Sequence, residues 1–124
     1  MPSQPLEVAL AYYDAWTSKD LDRAMTFIDD EIICDAPVGR LEGAGAYRQF
    51  MAPFVEILER AEMIAAFGDD EKALVMYDTE TALVKSAPGA ECVTVKGGRI
   101  TYSRFVFDRV PFEEARRGSE NTGS

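Results

Sequence analysis

Residues 43–67 read GAGAYRQFMAPFVEILERAEMIAAF, and the change of period inside this stretch decides the fold. Tyr47, Phe50, Met51, Phe54 and Leu58 recur at three- and four-residue intervals, which makes one apolar stripe of a helix opened by Gly43. Pro53 falls within the stripe and lacks the N–H that a helix interior uses, so the sequence predicts a kink, or two shorter helices meeting near Met51. After Arg60 the period drops from about 3.6 to 2, and Ala61 to Phe67 reads as a strand.

Working outward, helical patterns dominate upstream and strand patterns downstream. Pro5 suits the first turn of a helix over Leu6 to Thr17, which leaves only Glu7, Asp14 and Ser18 as a polar edge. Asp20 caps a second helix, Leu21 to Ile28. Asp29, Asp30 and Glu31 read as an exposed turn before a short strand, Ile32 to Ala36, that Pro37 and Gly39 end. Downstream, Gly68 to Asp70 turns the chain into a long strand, Lys72 to Val84, and Ser86 to Gly89 turns it again. Glu91 to Lys96 and Arg99 to Asp108 are strands joined by Gly97 and Gly98, a pair suited to a two-residue primed turn. Pro111 to Arg117 reads as a terminal helical turn. The sequence thus predicts an α+β fold with N-terminal helices packed on the concave face of a curved, mainly antiparallel sheet. It forms one domain over residues 1–117, followed by a disordered tail over 118–124.

Composition bounds the chemistry. The 124 residues are 47% hydrophobic and sum 22 acidic against 13 basic side chains to a net charge of −9. A chain of this size hides about two thirds of its surface on folding, enough for a core without staples. There is no histidine, which removes imidazole bases, Ser-His-Asp and Cys-His dyads, and imidazole metal sites. Cys34 and Cys92 lie in apolar runs, cannot make a Cys-rich zinc site, and fit a reduced, cytoplasmic protein. Residues 1–80 hold 17 acidic and six basic side chains, a field that repels a polyanion and argues against a nucleic-acid partner. No apolar run approaches the roughly 20 residues of a membrane span, and Met1 to Pro5 carries no basic leader.

Tyr12, Tyr13, Asp14, Ala15 and Trp16, then Asp20, Leu21 and Asp22, then Phe27 to Asp30, together with Asp35 to Gly39, Gly43, and the hairpin Val95 to Ile100 followed by Phe105 to Asp108, carry a resemblance. In order and spacing, residues 6 to 110 resemble the nuclear transport factor 2-like superfamily, in its SnoaL-like and ketosteroid-isomerase-like branch. The resemblance implies a cone-shaped α+β barrel with a pocket between sheet and helices, a homodimer through the outer sheet face, and no obligatory cofactor. The family spans isomerases, dehydratases, polyketide cyclases, epoxide hydrolases and domains with no known catalysis. Tyr12 matches the helix-1 tyrosine that supplies an oxyanion hydrogen bond in the isomerases, and Phe50 a pocket aromatic. The proton-shuttling aspartate falls on Ala36, with Asp35 one residue short, and the second oxyanion donor falls near Ser103. A one-residue slip reverses the face of a strand side chain, so Asp35 serves only if a bulge re-aims it. A steroid isomerase of that mechanism is therefore rejected, and the missing histidine excludes the histidine-dependent dehydratases.

Alternation puts Met76, Asp78 and Glu80 on one face of the long strand and Val75, Tyr77 and Thr79 on the other. Aligned to the family's strand order, the first set looks inward, where burial and Glu80 would raise the pKa of Asp78 into the range of general acid/base work. With reversed parity, Asp78 and Glu80 are solvated and Tyr77 is the pocket residue. The candidate catalytic pair is Asp78 as acid/base with Tyr12 as oxyanion donor. Trp16, Phe50, Met51, Phe54, Met76, Glu80, Ser103 and Phe105 are the candidate substrate contacts, with no metal. The reading is a homodimeric pocket protein for a small, mainly apolar, oxygen-bearing molecule, either a cofactor-free isomerase, cyclase or dehydratase or a non-catalytic binding or dimerisation domain. Epoxide hydrolysis is weakened because Met76 stands where the partnering arginine belongs.

Overall fold

The computed structural model of the chain describes residues 3–108 and 110–122. Its first helix, α1 (Gln4–Thr17), starts where Ser3 accepts the Leu6 N–H and Pro5 sits in the first turn. Its buried face carries Ala9, Tyr12, Ala15 and Trp16. The second, α2 (Leu21–Met25), is capped by Asp20, which accepts the Arg23 N–H at 3.1 Å. It stops short of the expected Ile28, which is already the first residue of β1 (Ile28–Ala36). Asp29 to Glu31 belong to this strand, at an irregularity between Ile28 and Ile33, where Asp29 accepts the Glu31 N–H at 3.0 Å. The expected turn is thus a bulge: its residues are polar, but the chain keeps running along the sheet.

Pro37 and Gly39 do end β1, but they fold it back into an unforeseen short strand, β2 (Gly39–Glu42), paired antiparallel with β1. Next, α3 (Ala44–Ile57) runs as one helix through Pro53. Proline removes the bond to the Gln49 carbonyl; both residues are exposed, so water can satisfy that carbonyl and the helix need not break there. The remaining strands are β3 (Leu58–Gly68), β4 (Lys72–Thr81), β5 (Gly89–Lys96) and β6 (Arg99–Phe107). Gly97 and Gly98 have φ of +60° and +80°, as the primed turn between β5 and β6 demands. The last helix, α4 (Val110–Thr122), is longer than the expected terminal turn. Gly123 and Ser124, the end of the expected tail, lie outside the described residues.

The six strands form one curved, unclosed sheet in the order β2-β1-β6-β5-β4-β3. All pairings are antiparallel except that of β1 with β6. The buried residues of α1 and α3 and the concave face of the sheet share one core, with Trp16, Tyr12, Tyr47, Ile32 and Ile100 fully enclosed.

The outer face is also apolar in its middle. Register places Phe67, Leu74, Cys92 and Arg104 in one row across β3, β4, β5 and β6, and Ala65, Met76, Ala90 and Val106 in the next. Phe67 is 69% and Val106 61% exposed. This second apolar surface explains why the parity of β4 is ambiguous in the sequence. Ala73, Val75, Tyr77, Thr79 and Thr81 are the buried set, and Leu74, Met76, Asp78 and Glu80 face outward. The two inward threonines are satisfied locally: Thr79 Oγ1 donates to the Ala87 carbonyl at 2.9 Å, and Thr81 Oγ1 accepts the Val84 N–H at 3.0 Å.

Candidate functional site

Between α1, α3 and the concave sheet lies a cavity of about 490 Å³. Its walls are mainly aromatic: Trp16 from α1, Phe50 and Phe54 from α3, Tyr77 from β4, and Phe105 and Phe107 from β6. Phe112 and Glu113 of α4 complete the lining, with Phe112 edge-on to Phe107 and Phe54. Met51 and Ile57 add aliphatic surface, and Thr79 and Gly89 lie beside Tyr77. Gly89 fits closely there: a Cβ would stand 3.2 Å from Tyr77 Cε2, so the ring would have to shift by a few tenths of an ångström.

The Tyr77 ring packs edge-on against Trp16 and tilted against Tyr13. Among the described residues its hydroxyl makes no hydrogen bond, and no side-chain oxygen or nitrogen is both sealed off and unpartnered. The hydroxyl is therefore not sealed off, and Tyr77 is one of the residues that line the cavity. Burial first, and then the nearby Glu91, raise its pKa well above the ordinary tyrosine value, so it stays a neutral donor.

Beside the cavity runs a buried polar chain built from four elements. Glu91 on β5 is 4% exposed. Its Oε2 accepts from Tyr47 of α3 at 3.1 Å and from Ser103 of β6 at 2.5 Å. Tyr47 has one proton and gives it to Glu91, so its bond with Tyr12 of α1 is one in which Tyr12 donates. Both bonds to Glu91 land on Oε2, leaving Oε1 without a protein partner among the described residues, yet not sealed off. Burial pushes the Glu91 carboxyl up to about 7, against the pull of its two hydrogen bonds. Tyr12 and Tyr47 are likewise raised, by burial and then by Glu91. Cys34, whose neighbours include Glu91 and Ser103, is pushed to about 12 by burial and is an inert thiol.

The sequence-derived candidates separate cleanly. Trp16, Phe50, Met51, Phe54 and Phe105 line the cavity. Tyr12 and Ser103 are buried in the polar chain and, like Tyr47 and Glu91, do not line it. Asp78, Met76 and Glu80 are on the opposite face, which corrects the expected acid/base: Asp78 Oδ1 accepts from Ser86 at 2.9 Å, and Glu80 pairs with Arg60 at 3.4 Å. The same reversal removes the Met76 and Asp78 positions from any epoxide-opening site. No bulge turns Asp35 inward. It is paired with Arg40 at 2.9 Å and accepts from Tyr102 at 2.5 Å, and these bonds hold it at about 2. Glu91 was missed, although its signal is in the strand: alternation puts it in phase with Gly89, Val93 and Val95, a lone carboxylate on an apolar face. Among the described residues no group of three or more Cys, Asp or Glu is placed to hold a metal, and no helix is long and apolar enough to cross a membrane.

A SnoaL-like domain model matches residues 9–103. The chain belongs to the SnoaL-like domain family. A crystal structure of a protein from Kribbella flavida DSM 17836 is 50% identical, with a TM-score of 0.94 over 97% of this chain and 99% of that one. An NTF2-like protein of unknown function from Cytophaga hutchinsonii ATCC 33406 is 16% identical, with a TM-score of 0.73 over 91% and 97%. A putative polyketide cyclase from Xanthomonas campestris pv. campestris is 17% identical, with a TM-score of 0.71 over 88% and 93%. The last two share the fold alone. No curated protein matches the chain. For this SnoaL-like domain, then, the cavity and its polar chain carry the functional reading.

The raised carboxyl has a measurable consequence. Native Glu91 holds its proton up to about pH 7, whereas an unfolded glutamate releases it near 4.5. Between these values the folded state binds more protons, so this group's contribution is full below the lower value and is lost as pH rises through the upper one. Chemical denaturation from pH 4 to 8 should show the parent losing up to about 3 kcal/mol relative to Glu91→Gln. Parallel pH profiles for the two proteins would contradict a raised carboxyl.

Proposed function

We propose that this SnoaL-like domain binds a small, mainly apolar molecule carrying an oxygen. The observation that carries this reading is an aromatic cavity of about 490 Å³ lined by Tyr77, whose hydroxyl has no protein partner among the described residues. The volume lies within the usual range for small-molecule sites, and the wall chemistry is the usual one, apolar with few polar groups to orient the ligand. Trp16 is the chain's only tryptophan and reports occupancy by fluorescence. 2-Decalone, a bicyclic ketone, should change its emission with saturation. Tyr77→Phe should weaken 2-decalone about 3- to 10-fold and leave the hydrocarbon decalin unaffected, the worth of one hydrogen bond. Equal losses for both probes would remove Tyr77 from oxygen recognition.

A second reading, cofactor-free proton transfer, rests on Glu91, whose pKa is about 7 and which stands behind the cavity wall, in register with the lining Phe105. In this reading Glu91 replaces Asp78 as the acid/base, and Tyr47 and Ser103 fix the position of its other oxygen. The reading requires Oε1 to reach the cavity, accept a proton from a carbon beside the ligand carbonyl and return one to the same framework, as an isomerase, cyclase or dehydratase does. The domain should then accelerate hydrogen–deuterium exchange at the carbons flanking the decalone carbonyl, followed by NMR. Glu91→Gln should lose about 10²-fold or more of that acceleration while keeping decalone affinity. No acceleration by the parent protein would leave binding alone, as a non-catalytic domain.

The two apolar rows on the outer face support a homodimer across it. Phe67, Leu74, Met76 and Val106 together leave more apolar surface in one patch than scattered exposed residues would. A two-fold contact sets each row against its own copy. Sedimentation should give a particle of twice the 13.7 kDa chain mass at micromolar concentration, and Met76→Asp with Val106→Asp should halve it. A single-chain mass for the parent protein would exclude the dimer.

A further inference from the structure

We propose that the cavity takes a hydroxylated ketone, an apolar skeleton whose carbonyl meets Tyr77 and whose hydroxyl, at the opposite end, donates to Glu113. The proposal names the ligand class for the binding reading above and rests on it. Apart from the indole of Trp16, the polar side chains on the described lining are Tyr77, Thr79 and Glu113. Thr79 gives its hydroxyl proton to the Ala87 carbonyl at 2.9 Å, which leaves a donor in Tyr77 and an acceptor in Glu113.

Register sets the two on opposite sides of the cavity. Tyr77 pairs with Gly89 and Gly89 with Phe107, so these three form one row across β4, β5 and β6. The outer two stand about 10 Å apart at the backbone, two strand spacings. Gly89 between them has no side chain, so the floor there is bare backbone flanked by two rings. Phe107 packs edge-on against Phe112 with ring centroids 6.2 Å apart, and Glu113 follows Phe112 on α4. A guest lying over Gly89 therefore has Tyr77 at one end and Phe112 with Glu113 at the other. Glu113 is the one charged side chain on the described lining. A carboxylate has about four lone-pair sites, so it accepts from a ligand hydroxyl alongside contacts within the chain. A hydrogen bond to a charged group is stronger than one between neutral groups, so the Glu113 end discriminates more sharply than the Tyr77 end.

Three ketones on one skeleton test this: 6-hydroxy-2-decalone, its methyl ether and 2-decalone, each titrated against Trp16 fluorescence. The ether keeps the second oxygen and loses the donor. The hydroxyketone should bind about tenfold tighter than the ether. Glu113→Leu should abolish that preference and leave 2-decalone affinity unchanged. Glu113→Gln, which keeps a carbonyl acceptor without the charge, should retain a preference of about threefold. Equal binding of hydroxyketone and ether by the parent protein, with 2-decalone still bound, overturns the inference and leaves the binding reading standing. A preference that survives Glu113→Leu overturns it as well, because the hydroxyl then has another partner. A loss shared by all three ketones in Glu113→Leu makes Glu113 a part of the wall only and likewise overturns it. If 2-decalone itself moves no Trp16 signal, the binding reading falls and the ligand class falls with it.

Discussion

The carboxyl group of Glu91 is the constraint around which the interior is arranged. A carboxylate taken out of water is costly unless donors surround it, and the donors come from different parts of the chain: Tyr47 from α3, Ser103 from β6, and Tyr12 of α1 through Tyr47. The two long helices are therefore tied to the sheet by directional bonds as well as by apolar contact. Hydrophobic burial alone tolerates sliding; a chain of hydroxyls ending on one oxygen does not.

Glu91 and Asp35 illustrate how position alone assigns opposite behaviour to two acids. Asp35, at the sheet's outer rim, is held ionised by Arg40 and Tyr102, and its ion pair with the half-exposed Arg40 pins the β1–β2 hairpin. Such exposed pairs contribute little to stability. Glu91, one layer inward, has only neutral donors and shifts the other way. Among the described acidic side chains, this one combines burial with an oxygen that has no protein partner, which is why the second functional reading rests on it.

The helical stripe of Tyr47 to Leu58, the switch to a two-residue period after Arg60 and the Gly97-Gly98 turn made the architecture legible, because each is a strong local signal. The cavity aromatics were legible for the same reason, since an apolar stripe must face the core. The orientation of β4 was not. Leu74 and Met76 are as apolar as Val75 and Tyr77, and the inward threonines find partners in the turn that follows, so polarity did not distinguish the faces. The short strand β2 was hidden because its four residues are too few to show an alternation, and its pairing with β1 is a backbone ladder rather than a side-chain pattern. Glu91 was overlooked because a glutamate in a strand ordinarily faces water, and only its partners on distant elements reverse that expectation.

The lone parallel pairing has a consequence for how the chain is made. β1 (residues 28–36) finds its inner neighbour in β6 (residues 99–107), about seventy positions later, and until then it is paired only with the four-residue β2. Pairings of such sequence separation carry a large loop-closure cost and form late. During synthesis the first three helices and the β1–β2 hairpin leave the ribosome with their apolar faces uncovered, and the sheet that covers them is complete only when its last strand has emerged. Folding of this domain therefore waits on its last strand.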